Sequence, residues 1–197
     1  MKHLLFILSL LITTSLCAQD EKAQSNSVKN VAFKGVTLKD QTLSQFTTKM
    51  EQKGFSFKKQ IRPNFVEMNG NFLNRQSQLF ILSTLKDKLV CKTIVYVGLP
   101  TDSWEDLKRD YFYIKKLFTE KYGEPIRDFE YFTDSFYEKD GLEILGVKKD
   151  VCRYITFFSP SMSVEICEFC QIRIIYEDSN NMDILSNEED ESALDEI

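Results

Sequence analysis

The stretch 102–125 constrains the fold more than any other part of the chain, because both of its ends and its buried side can be read directly. Asp102 stands at an N-cap position with Glu105 three residues on to complete a capping box, while Gly123 and Pro125 supply a left-handed stop and a residue that cannot continue a helix. Between them Trp104, Leu107, Tyr111, Ile114, Leu117, Phe118 and Tyr122 recur at three- and four-residue spacing, and Lys108, Arg109, Lys115, Glu120 and Lys121 fall mainly elsewhere on the wheel. The spacing predicts a long amphipathic helix whose apolar stripe needs a partner surface, with Trp104 buried beneath it.

The flanking segments are the candidates for that surface. Residues 31–36 read as a strand, and 42–54 as a first helix with Thr42 as cap, Gln45 as its box partner, Gly54 as stop and Leu43, Phe46 and Met50 on the buried side. Short apolar runs follow at 55–57, 65–68, 72–73, 79–82 and 89–97, separated by turn material such as Asn69-Gly70. Beyond the long helix, strands are expected at 127–132, 142–147, 152–158 and 164–176. Loops this short suit antiparallel pairing, since parallel strands need a crossover of about a dozen residues or more. The expected fold is α+β: two tandem helix-then-strands units, about 31–98 and 99–178, forming one antiparallel sheet with helices on one face.

At the N-terminus a positive head, an apolar run at 4–12 and small residues up to Ala18 predict an export signal occupying 1–18, followed by a polar leader over 19–30. The apolar run is shorter than the about 20 residues of a membrane-spanning helix. Anchoring through Cys17 is the alternative, disfavoured by the bulky Leu16 before it. Loss of the signal would remove His3, the one histidine in the sequence. Histidine-based nucleophilic triads, histidine general bases and imidazole metal sites are thereby excluded from the mature chain. Carboxylate-only hydrolysis survives this filter, with Asp134 and either Glu138 or Glu143 as the pair to consider.

Charge is unevenly distributed. Nine acidic residues follow Tyr176, leaving the body between the signal and that point at about +3. Residues 179–197 contain no aromatic side chain, and a disordered acidic tail is expected there. Asp178, Asn180 and Asp183 do not match an EF-hand loop, because Met182 occupies a ligand position. Nucleic acid is an improbable partner for a chain of pI about 5.1 with no basic stripe.

Four cysteines, Cys91, Cys152, Cys167 and Cys170, remain after the signal, and a structural disulfide or buried thiols is the expectation. Cys167 and Cys170 have C-x-x-C spacing but fall within the long apolar run 164–176, where residues three apart point to opposite faces, so neither redox nor zinc chemistry is favoured. No cofactor is implied. Sixteen Phe and eight Tyr leave some aromatics for the surface, with Tyr113, Tyr131 and Tyr137 as candidate binding residues.

Phe33-Lys34-Gly35-Val36, Lys53-Gly54-Phe55, Gly70-Asn71-Phe72, Trp104, Leu107, Tyr111 and Lys121-Tyr122-Gly123-Glu124-Pro125 resemble a family of uncharacterised exported proteins from Gram-negative gut bacteria, over most of 31–178. These are caps and core positions, so the resemblance implies an exported α+β domain and carries over no functional residue. The layout is also similar to that of β-lactamase-inhibitor-like proteins and small outer-membrane assembly lipoproteins, which is a likeness of architecture. The function expected is a non-catalytic envelope module, periplasmic or secreted, that binds a protein or glycan, with a carboxylate-dependent glycan hydrolase as the alternative.

Overall fold

The computed structural model describes residues 31–138 and 141–194. The expected export signal and polar leader lie outside these residues. Among the described residues no helix is long and apolar enough to cross a membrane.

A two-stranded hairpin, β1 (Ala32–Phe33) and β2 (Val36–Thr37), comes first. The single strand expected over 31–36 is therefore two, because Lys34 and Gly35 both take positive φ and turn the chain back. Helix α1 (Leu43–Gln52) has the expected capping box, Thr42 and Gln45 each bonding the other's backbone N–H. Four strands follow: β3 (Ser56–Arg62), β4 (Phe65–Phe72), β5 (Arg75–Ser83) and β6 (Val90–Val97). Asn69-Gly70 is not a turn: β4 runs straight through it, and the chain reverses at Leu73-Asn74, both at positive φ. Gly70 is required by proximity, since a Cβ there would lie 2.6 Å from the Phe55 ring.

Helix α2 (Trp104–Tyr122) matches the expected length, and Gly123 at φ 89 ends it. Its cap is Ser103, whose hydroxyl accepts from the Asp106 N–H at 3.2 Å, and not Asp102. Asp102 instead pairs with Lys148 at 2.7 Å, so no box forms with Glu105. The second half continues with β7 (Arg127–Phe132), a short 3-10 turn (Ser135–Glu138), α3 (Glu143–Lys148), β8 (Cys152–Ser159), β9 (Met162–Cys167) and β10 (Gln171–Glu177). The strand expected at 142–147 is thus a helix. Gly146 packs so closely beneath Phe132 and Tyr137 that a Cβ would sit 2.7 Å from Tyr137. The run 164–176 is not one strand but a hairpin, with residues 168–170 as its turn.

The large sheet is antiparallel throughout, in the order β3-β4-β5-β6-β10-β9-β8-β7. The last strands of the two halves, β6 and β10, pair at its centre. One face carries α1 and α2 over a single core in which Phe33, Phe118 and Tyr176 connect the two halves, with ring centroids 5.5 and 6.4 Å apart. The expected α+β class and antiparallel sheet are therefore present, and the elements on either side of 98/99 share one core.

Residues 179–194, expected to be disordered, form helix α4 (Ser179–Leu194). Leu185 is only 3% exposed, and Glu188 accepts the backbone N–H groups of Leu85 and Lys86 in the β5–β6 loop. The Asn181 amide donates to the Val90 carbonyl at 2.8 Å. Asn181, Leu185 and Glu188 recur at helical spacing, so one apolar side chain and two exactly placed polar ones dock an otherwise acidic segment.

Candidate functional site

Strands alternate their side chains, so residues neighbouring the core positions point to the other face of the sheet. There Phe65, Phe80, Leu82, Ile94, Tyr96, Ile155, Phe157 and Ile175 are all apolar or aromatic, and each keeps partial solvent contact. Phe65 stacks on Phe80 at 5.8 Å, Phe80 meets Tyr96 edge-on at 5.6 Å, and Tyr96 meets Phe169 at 5.9 Å. The row crosses β4, β5 and β6 along diagonal neighbours and ends at the β9–β10 loop, where Phe169 is 55% exposed.

Beside the row, the Arg173 guanidinium pairs with Glu165 and, at 3.4 Å, with Glu168. Burial would lower the Arg173 pKa, but the adjacent carboxylates and Tyr96 outweigh it and hold the arginine firmly charged. Burial raises the Tyr96 phenol, partly offset by Arg173. Phe129 and Tyr131 extend the apolar surface across β7, where Phe129 contacts Phe157 at 6.5 Å.

The aromatics expected at the surface do not converge. Tyr131 is exposed on this open face, and Tyr113 is exposed on α2. Tyr137 is half-buried against the core. The four cysteines among the described residues are all buried thiols with no disulfide between them. Burial pushes Cys91 and Cys152 up to about 12 and raises Cys167 and Cys170 as well. Cys167 and Cys170 flank a hairpin loop instead of lying mid-strand, with the Cys170 N–H donating to the Cys167 carbonyl at 2.9 Å. Cys170 belongs to the core, whereas Cys167 follows the strand parity of Glu165 on the open face. Among the described residues no cluster of His, Cys, Asp or Glu could hold a metal ion.

The carboxylates considered for hydrolysis are engaged as caps. Asp134 accepts from the Phe136 N–H at 3.0 Å, Glu138 from Phe132 at 3.1 Å and Glu143 from Gly141 at 2.9 Å. One carboxylate pair that the fold does bring together is Asp128 and Glu130, both bonded to Lys115 of α2. Asp128 also accepts from Thr156, which is hydrogen-bonded to the buried Tyr111 hydroxyl, so this cluster ties α2 to the edge of the sheet. Burial lowers the Lys115 pKa, and its two bonded carboxylates more than reverse that.

Two recesses also mark the surface of the described residues. One, of about 260 Å³, holds the bidentate Arg75–Asp110 pair and the Arg109–Asp106 pair. The other, of about 230 Å³, is lined by Asp102, Trp104, Glu105 and Glu143. In the first recess the charges pair with one another, and in the second Lys148 pairs with Asp102 while Glu143 accepts the Gly141 N–H.

Compared with known proteins, the chain matches no family model, no curated protein and no solved structure.

Proposed function

We propose that the chain is an exported, non-catalytic binding module that engages a protein partner through the open face of its sheet, as the resemblance to exported envelope proteins also suggests. The observation that carries this reading is the Phe65–Phe80–Tyr96–Phe169 row, which retains solvent contact on a face opposite the packed helices. Eight strands of 6 to 9 residues, spaced about 4.8 Å apart and rising about 3.3 Å per residue, make a face of roughly 34 by 25 Å, close to the about 800 Å² that each partner contributes to a standard interface. Aromatic side chains with an adjacent arginine have the composition of interface hot spots. A glycan is the weaker fit, because Phe65, Phe80 and Tyr96 already use ring faces and edges on one another, where sugar stacking wants a ring face left free.

The test is photo-crosslinking in the intact cell envelope from a reactive residue placed at position 169. A discrete protein adduct is expected, and it should fall at least tenfold when Phe80→Ser and Tyr96→Ser are added to a chain that remains folded. Adduct yield unchanged by these substitutions, or binding confined to a glycan array, would overturn the reading. Export is checked separately: protein recovered from the envelope fraction should begin at or near Gln19, and retention of Met1 would refute it.

A further inference from the structure

The two edges of the sheet are finished differently. At β3 the register against β4 slips twice, between Phe57 and Lys59 and between Gln60 and Arg62, and the strand carries Lys58, Lys59 and Arg62. Irregular pairing and projecting lysines are the usual means of keeping an edge from accepting another strand. At β7 six consecutive residues pair with β8 without a register shift, and the strand contains no Pro, Gly or Lys, its charges being Arg127 at the start and the acidic Asp128 and Glu130.

The backbone of β7 has a defined outward row. The Thr133 N–H donates inward to the Val151 carbonyl at 2.8 Å, whereas the Phe132 N–H is taken by Glu138. Alternation in an antiparallel ladder therefore turns the N–H and C=O of Asp128 and Glu130 away from β8. The close Asp128–Thr156 side-chain contact fits this, since non-hydrogen-bonded pairs bring side chains nearest. On the helix side of the edge lie the Asp128 and Glu130 carboxylates, two negative charges sharing the one Lys115. On the open side lie Phe129 and Tyr131, 40% and 47% exposed.

We propose that β7 is a strand-acceptor edge that takes an extended segment of a partner protein, with basic side chains alternating toward Asp128 and Glu130 and apolar ones toward Phe129 and Tyr131. Main-chain bonds to the outward row supply adhesion, and the two differently lined sides select register and sequence. A second copy of this chain fits poorly. Antiparallel self-pairing about Phe129 would set Asp128 opposite Glu130 twice, and self-pairing about Glu130 would set that carboxylate against itself. The Glu138 bond to Phe132 closes one end of the row and so limits the segment to the stretch before it.

This inference rests on the reading of the chain as a binding module, but it uses residues outside the aromatic row. The test is amide exchange and affinity measured on the full mature chain with a capped heptapeptide of alternating lysine and valine. Asp128 and Glu130 amides should exchange at least tenfold more slowly with the peptide present. A peptide of the same composition with its lysines and valines in separate blocks should protect neither amide. Glu130→Pro, which removes an N–H that makes no ladder bond, should abolish binding, and Glu130→Gln should weaken it about threefold. If the proline variant loses its circular dichroism, Phe129→Ser with Tyr131→Ser takes its place and must cut affinity at least fivefold. Equal protection by the block peptide, no protection by the alternating one, or affinity insensitive to these substitutions overturns the proposal. Survival of the position-169 adduct in such a case would leave the binding-module reading intact, and its loss in the row variants alone would separate the two surfaces.

Discussion

At the scale of single residues, burial decides chemistry that the sequence leaves open. The four described thiols could form a disulfide, but the β9–β10 turn leaves Cys170 in the core while Cys167 follows the open face, and Cys91 lies apart against α4. Buried thiols with raised pKa values stay neutral and unreactive while folded. Iodoacetamide at pH 8 should therefore label none of the four within an hour in the native chain and all four in denaturant; rapid native labelling of any one would contradict its burial. The sign of the pH effect follows from the same shifts. Because Cys91 and Cys152 titrate near 12 when folded and near 9.0 otherwise, their contribution is complete below pH 9 and is lost as the pH rises through 12. A denaturation midpoint that rose between pH 9 and 10.5 would be inconsistent with this. Trp104 is the other correction at this scale: it is half-buried at the start of α2, edge-on to Phe132 and Tyr154 at 5.3 and 5.2 Å. Trp104→Ala should cost about 2 to 3 kcal/mol, less than the about 3 to 5 kcal/mol of a fully enclosed aromatic, as measured by urea denaturation.

At the scale of elements, caps and periodicity were legible where one face is buried and the ends are marked. Helices α1 and α2 follow from Thr42, Gln45, Gly54 and Gly123 together with their apolar stripes. Helix α4 was not legible, because its hold on the body comes from Leu185 and from hydrogen bonds by Asn181 and Glu188 to backbone more than 85 residues away. Composition registers the charge of such a segment and misses the acceptor that needs it. Leu185→Ala should cost about 2 to 3 kcal/mol and Glu188→Ala about 1.5 to 3 kcal/mol, since the latter strands the Leu85 and Lys86 N–H groups. Removal of 179–197 should lower the thermal midpoint by more than 5 °C at moderate salt. An unchanged midpoint would mean that α4 is dispensable packing. Helix α3 was missed for a related reason: six residues carry too little periodicity to separate a helix from a strand, and the position of Gly146 under Phe132 settles it.

For the whole molecule, the central β6–β10 pairing and the shared core make one cooperative body. Thermal unfolding followed by Trp104 fluorescence and by far-ultraviolet circular dichroism should give coincident midpoints. Midpoints several degrees apart would mean that the two halves unfold separately. The sequence by itself determined the α+β class, the antiparallel pairing and helices α1 and α2, because these depend on local spacing, marked ends and short loops. Its apolar runs at 79–82 and 94–97 also carried an unread signal: in an antiparallel sheet, strands apolar on both sides imply that the second face is apolar too. Only the tertiary structure decided which side chains meet there. Phe65, Phe80, Tyr96 and Phe169 come from strands and a loop more than 100 residues apart at the extremes, and their alignment depends on strand order and register. The same order makes β7 an edge and places Lys115 over Asp128 and Glu130, a juxtaposition set by how α2 lies across the sheet and not by any spacing within the chain.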